Sequence, residues 1–398
     1  MNRMAIISVD GHAKATRAGY REYFDSRYVN HYDDWVAAQE RQGIPDAGNV
    51  KPGIEPECQW DSGRRLRQLE SEGVVAEVLF PNGLPFATRR FEDAGRVDDP
   101  VLDRQARVAY NRWLADFCAE APGRRAGQAV VSFDDIDLAI EDIHWAKENG
   151  LGGIMMPSLL PGGKAFFDPE LDPIWAACQA VGLPISQHGG AGTPTYQPPG
   201  FAAIMTLAIE QQFYSGRSLW QMILGGVFDR FPDLHVAFVE TGAGWIAPTI
   251  RDLDKRLTHD DDWMAFARLM RRERAFSRLA SEYWTTNCHM GLSPFTMVQF
   301  EENVEVGEGA TAGVTPETVM YGVDFPHFES TTFETLGQAA GLLRHPGLDE
   351  AAARKIFYGN AAAVYGFDLA VLEPHIERVG FDPADMQATP MASVQARL

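Results

Sequence analysis

Eight short apolar runs punctuate this chain, and a segment with helical periodicity lies between most of them. The runs cover residues 5–9, 74–80, 127–132, 153–156, 183–187, 234–239, 282–286 and 319–323. Strands that are apolar throughout, rather than alternating, are buried on both faces, as in parallel sheets covered by helices. Helices are expected at 64–72, 99–120, 134–149, 172–181, 215–228, 245–272, 331–343 and 348–357. In the clearest of them Ile136, Ile140, Ile143 and Lys147 recur at helical intervals, with Ser132 or Asp134 as cap and Gly150 as the stop. Eight strands alternating with helices predict an α/β protein built as a (β/α)8 barrel. A doubly wound open sheet is the competing architecture, but no strand is followed by the glycine-rich fingerprint that favours it.

A chain of 398 residues accommodates such a barrel as one domain. We assign 1–366 to the barrel, with an insertion at 14–60 after the first strand, and 367–398 to a C-terminal extension. The extension contains Pro374, Pro383 and Pro390 and is expected to wrap the barrel or a neighbouring subunit. The insertion fits no strand or helix pattern well and carries Tyr20, Tyr23, Phe24, Tyr28, Tyr32, Trp35 and Trp60. Coming directly after strand one, it would lie over the C-terminal mouth of a barrel, where substrates bind.

Composition removes several functional classes. A formal net charge of -20, without a Lys/Arg cluster, argues against nucleic-acid binding. No window approaches a membrane span, and the N-terminal apolar run lacks signal-peptide architecture. The four cysteines, Cys58, Cys118, Cys178 and Cys288, have no C-x-x-C spacing, which excludes a zinc ribbon and argues against a disulfide framework. A cytoplasmic protein acting on a small molecule is expected.

Polar residues at the ends of the apolar runs carry the chemistry. The first run ends in Asp10-Gly11-His12, a pair that by itself reads more readily as a polar turn than as two ligands. The fifth ends in Gln187-His188-Gly189-Gly190, the sixth in Glu240 before a glycine-rich turn, and the eighth in Asp324-Phe325-Pro326-His327-Phe328-Glu329. Each has an ordinary reading as a helix cap or a hydrogen-bonded structural residue. Four strands of one barrel would nevertheless place ionisable groups at the same rim, where buried unpaired charge costs several kcal/mol per group. Convergence of this kind implies a shared cation, and a metal supplies it.

The chain resembles the amidohydrolase superfamily, in the branch that groups aminocarboxymuconate-semialdehyde decarboxylase with related metal-dependent hydrolases. VDGH, VLFPNG, QHGG, the block GGVFDRFPDLHVAFVETGAGWIAPTIRDLD, YGVDFPHFEST and KIFYGNAAAVYGF carry the resemblance. It implies a distorted (β/α)8 barrel, metal ligands at Asp10, His12, His188 and Asp324, and a proton-accepting role for Asp324. Decarboxylases of the family usually carry a histidine in an A-H-G-G-G block after strand six, where this chain has Glu240. A glutamate there must have its pKa raised by its surroundings to donate a proton near neutrality. The resemblance also implies a homodimer.

The leading functional expectation is metal-assisted hydrolysis of a small organic acid, ester, amide or ring compound with an apolar body. Zinc, manganese or iron would lower the pKa of a bound water, Asp324 would take its proton, and Glu240 would position water or substrate or add a ligand. The alternative is non-oxidative decarboxylation of an aromatic or muconate-like acid, with Glu240 or His327 protonating the ring carbon. A third reading comes from the ligand inventory: three carboxylates with two or three imidazoles suit two ions, in a dinuclear hydrolase or a di-iron, oxygen-using enzyme. A binding or scaffold barrel with a residual site is the non-enzymatic alternative. His289, Arg17 and Trp245 are candidate substrate contacts, although exposed arginines are commonplace and Trp245 also suits the core. His31, His144, His235, His259, His345 and His375 have no partners at ligand spacing and read as structural or surface residues.

Overall fold

The computed structural model describes residues 3–86, 99–194, 196, 198, 200–258, 276–306 and 313–388. Eight parallel strands, β1 Ile6–Ser8, β2 Val74–Pro81, β3 Arg125–Val130, β4 Gly153–Met156, β5 Ile185–His188, β6 Val236–Val239, β7 Cys288–Leu292 and β8 Val319–Tyr321, pair in chain order. Backbone hydrogen bonds then join the last to the first. Val9 N donates to Tyr321 O at 2.9 Å, Asp324 N to Asp10 O at 3.0 Å, and His12 N to Phe325 O at 2.6 Å. The molecule is therefore a (β/α)8 barrel with helices in its crossovers, and its core fills with side chains from both faces of the strands.

The seventh strand is displaced from its expected place. Tyr283, Trp284, Thr285 and Thr286 favour a strand locally, yet 282–286 lies inside the helix Ala280–Asn287 and β7 begins only at Cys288. Capping and burial decide this: Asp254 Oδ1, distant in sequence, accepts from Ala280 N at 2.7 Å, Glu282 accepts locally from Leu279 N at 2.7 Å, and Tyr283 and Trp284 are buried. The helix Ile136–Glu148 is capped by Asp135, which accepts from Leu138 N at 3.1 Å, not by Ser132 or Asp134. The helix expected from 215 begins at Phe201, because Phe201, Ile209 and Phe213 are exposed and blur the amphipathic pattern. The one expected at 245–272 is Ile246–Thr258, and 259–275, with His259, lies outside the described residues.

The insertion contains more regular structure than its sequence suggested. It forms the helices Arg17–Tyr20 and Val29–Arg41, and several of its aromatics make ring contacts with one another and with neighbouring rings. Phe24 stacks on Tyr32 at 4.4 Å, both meet Phe86, and Tyr20 meets Trp113 on the helix Pro100–Ala119. The part that reaches the rim is the segment 47–59, where Lys51 N donates to Pro326 O at 2.8 Å. The C-terminal extension folds as Leu369–Val379 and Pro383–Ala388, and Phe381 pairs antiparallel with Met4 just ahead of β1. Among the described residues no helix is long and apolar enough to cross a membrane.

Beneath the rim lies a buried charge pair. Arg65, on the helix Ser62–Ser71, donates to both carboxylate oxygens of Glu77 on β2 at 2.7 and 2.8 Å, and also to His12 O at 2.9 Å and Cys58 O at 3.2 Å. Both side chains are enclosed, with Arg125 Nε a further 3.4 Å from Glu77. Removing one partner of such a pair leaves an uncompensated charge, at about 3–5 kcal/mol. Arg65→Met is thus expected to lower the unfolding free energy of metal-free protein by about that much in urea titrations; a loss below about 1 kcal/mol contradicts the reading.

Candidate metal centre

Six of the predicted residues meet at the C-terminal rim. Asp10 and His12 follow β1, His188 closes β5, Glu240 follows β6, and Asp324 and His327 follow β8. His12 continues the β1 direction through a short stretch, His12–Ala13, that pairs with the end of β2. Ligand-capable atoms of Asp10, His12, His188 and Glu240 lie within 4.8 Å of one another, as do those of His12, Asp324 and His327, and of Glu240, Asp324 and Glu329.

The backbone is shaped to achieve this. Glu240 and Asp324 hold φ of 55° and 60°, a left-handed conformation rarely adopted by residues other than glycine and worth about 1–3 kcal/mol of strain. A Cβ on Gly11 would stand 3.0 Å from Arg65 and Glu77 below it, so that ion pair would have to give way. Gly189 is required for a similar reason, since a Cβ would collide with the carbonyl oxygen of Glu240.

Each imidazole is held from behind by an oxygen. His12 Nδ1 is 3.3 Å from Pro81 O, leaving Nε2 3.3 Å from both Asp10 Oδ1 and Asp324 Oδ1. His188 Nδ1 is 2.9 Å from Gly189 O, leaving Nε2 3.2 Å from Asp10 Oδ1 and 3.4 Å from Glu240 Oε2. Metal-binding histidines are commonly fixed in this way by a bond from the second ring nitrogen. Asp10 Oδ2, His12 Nε2 and both carboxylate oxygens of Asp324 are buried without a hydrogen-bond partner. Orphaned donors converging from the ends of the first and last strands fit a divalent cation bound by nitrogen and oxygen.

The electrostatics agree. Burial alone would raise Asp10, but the charge of His188, its hydrogen bond and the nearby His12 imidazole outweigh it and lower its pKa. Burial opposes a charge on His188, yet Asp10 and Glu240 hold its pKa up at about 10. Burial, reinforced by the charge of Asp10, pushes Asp324 up to about 7 against the nearby His327 imidazole. Burial and the charge of Asp324 push Glu240 well above the usual carboxylate range, although its side chain is 22% exposed at the mouth.

The other candidates lie elsewhere. His289 sits in β7 opposite Ala237, near the strand's start, and its Nε2 is 3.2 Å from His235 Nδ1; burial and His235 lower its pKa to about 3. The displaced strand removes it from the rim. The neighbouring Cys288 is buried, and burial raises its thiol pKa, which leaves no activated nucleophile. Arg17 donates to Ile44 O at 3.0 Å and Pro45 O at 3.4 Å, holding the insertion to itself. Trp245 donates to Thr241 O at 3.1 Å and packs on Phe238. Sequence reasoning missed Asn82, which touches His327, and Arg65, which holds the carbonyl of His12. VLFPNG contains Asn82, but no local signal marks its direction.

The family model described as amidohydrolase matches residues 72–367. The chain belongs to the amidohydrolase family. The amidohydrolase is 23% identical over 356 residues to a gamma-resorcylate decarboxylase of Rhodococcus jostii, covering 84% of this chain and 98% of that one. In fold it is similar to a crystallised amidohydrolase of Mycobacterium avium subsp. paratuberculosis, with a TM-score of 0.63 and 17% identity over 92% of this chain and 99% of that one. It is also similar to a 5-carboxyvanillate decarboxylase of Novosphingobium aromaticivorans, solved with bound manganese, with a TM-score of 0.59 and 18% identity over 92% and 97% of the two chains.

The raised pKa of Asp324 links stability to pH. The folded chain holds this proton more tightly than an unfolded chain, whose Asp titrates near 3.8, so stability falls as pH rises from about 4 to 7 and the penalty is complete above. In metal-free amidohydrolase, Asp324→Asn should raise the melting temperature by a few degrees at about pH 8 and change it little at about pH 4. Added manganese should stabilise the wild type and erase the variant's advantage, as scanning calorimetry can measure.

Proposed function

We propose that this amidohydrolase is a metal-dependent, non-oxidative decarboxylase of an aromatic acid. The observation that carries the reading is the joint one of a cation-seeking cage at the rim and similarity over nearly the full length of a gamma-resorcylate decarboxylase. Hydrolysis, the first expectation from sequence, has support only from membership of the wider superfamily.

Asp10, His12, His188 and Asp324 would hold the ion. A bound divalent ion supplies positive charge that orients a substrate carboxylate and offsets charge developing beside it. The buried Phe80 packs behind the imidazoles, its ring 4.5 Å from that of His188. Glu240, at the open side of the cage, would keep a proton near neutral pH and deliver it to the ring carbon as the bond to the carboxylate breaks. This is the raised carboxyl that a glutamate needs in the place where relatives use histidine. The displaced carboxylate leaves as carbon dioxide, and no water is consumed.

Two experiments test the proposal. Purified protein supplied with manganese should release carbon dioxide from gamma-resorcylate or 5-carboxyvanillate, place solvent deuterium on the ring, and lose all turnover on chelation. Hydrolysis of esters or amides of these acids without carbon dioxide release would overturn it. Glu240→Gln, compared with wild type at equal bound manganese, should lower kcat by roughly 10²–10⁴. Unchanged kcat removes Glu240 from the proton-delivery role.

A further inference from the structure

We propose that the N-terminal half of the helix Phe201–Leu224 is an upper wall of the substrate site, where Phe201, Ile204 and Ala208 receive an uncharged apolar group on the acid's ring, opposite its carboxylate. The inference rests on the proposed binding of an aromatic acid at the cage, and not on which bond is then broken.

This helix outreaches the barrel it lies against. It follows β5, so it starts on the C-terminal side of the sheet, and its 24 residues rise about 36 Å. Residues 201, 204, 208, 211, 215 and 218 recur at alternating steps of three and four and therefore share one stripe. The lower end of the stripe faces the strands: Ser215 and Ser218 are buried, and the Ser218 hydroxyl donates to Gln187 Oε1 on β5. Gln211 marks the level of the rim, because its Nε2 donates to Glu240 O and the missing Cβ of Gly189 leaves room for its amide. Ile204 follows on the same stripe two turns farther out, about 10 Å above that bond. A stripe that faces the strands below the rim overlooks the mouth above it.

The upper stripe is bare and uncharged. Phe201 is 81% exposed, Ile204 47%, and Ala208 is exposed as well. Residues 201–209 carry no ionisable side chain in a chain of formal net charge -20, and Glu210 below them accepts from the Tyr196 hydroxyl. Contiguous apolar surface of this kind marks a binding face, and an uncharged one suits an uncharged ligand group. Its tie to the carbonyl of Glu240 puts that face beside the group assigned to proton delivery. An aromatic acid whose carboxylate is held at the cage turns its opposite edge outwards, where an alkyl or aryl substituent meets the wall.

Calorimetric titration of manganese-loaded, full-length protein with benzoate and with 4-hexylbenzoate tests this. The hexyl probe should bind at least about tenfold more tightly, since several methylenes leave water. Ile204→Asn and Phe201→Asn should each remove most of that preference and leave the benzoate affinity unchanged. Ile209 is also exposed but lies about 140° round the helix from Ile204, so Ile209→Asn should keep the preference. Equal affinities in the wild type, failure of both probes to bind included, overturn the proposal. So does a preference that survives Ile204→Asn, or one that Ile209→Asn removes equally. Dissociation of a wild-type dimer by Ile204→Asn in sedimentation velocity, with both affinities unchanged, overturns it in favour of a second copy of the chain on this face. Tighter hexyl binding without carbon dioxide release from any aromatic acid would sink the decarboxylase reading alone, and carbon dioxide release with equal affinities would sink this one alone.

Discussion

The seam between the last strand and the first is the constraint on which the site depends. Its hydrogen bonds run from Val9 to Tyr321, from Asp324 to Asp10 and from His12 to Phe325, so the bonds that close the barrel are made by the residues that carry the cage. Closing the barrel and assembling the cage are one event. Ser8 adds to the seam, its hydroxyl accepting from Val323 N at 3.0 Å and donating to Asp10 O at 2.7 Å. A barrel that failed to close there would leave Asp10 and Asp324 on separate edges, with nothing to bring their carboxylates to one cation.

Holding several carboxylates together against their mutual repulsion requires reinforcement from below. Arg65 supplies part of it by fixing the carbonyl of His12 while neutralising Glu77, which places a satisfied ion pair under an unsatisfied cluster. The left-handed backbone at Glu240 and Asp324 is a second sign that the structure tolerates local strain for the direction of two side chains. Orphaned oxygens, raised carboxyl pKa values and backbone strain coincide at one end of one barrel. Structural ion pairs elsewhere on the surface, such as Arg21 with Asp33 or Arg230 with Asp172, show no such combination.

Much of this was legible in residue order. The apolar runs located seven strands to within a few residues, and Asp10, His12, His188, Glu240, Asp324 and His327 were selected because each comes at the end of such a run. The seventh strand was not legible, because Tyr283, Trp284, Thr285 and Thr286 have strand propensity while a cap from Asp254 and burial of the two aromatic rings make them helical. That single displacement moved His289 from the rim to the far end of its strand. The ring contacts within the aromatic insertion were not legible either: they pair Phe24 and Tyr32 with Phe86 and Tyr20 with Trp113, residues distant in sequence.

The sequence by itself determined the alternation that makes a barrel and the chemical types that end its strands, since period and polarity are local properties of the chain. Only the tertiary structure decided which nitrogen of His12 and of His327 faces the cage. The partners that set it are distant in sequence, Pro81 O for His12 and Asn82 Oδ1 for His327, whereas Gly189 O beside it holds His188. A lone pair has a direction, and direction is set by hydrogen-bond partners that only folding brings together.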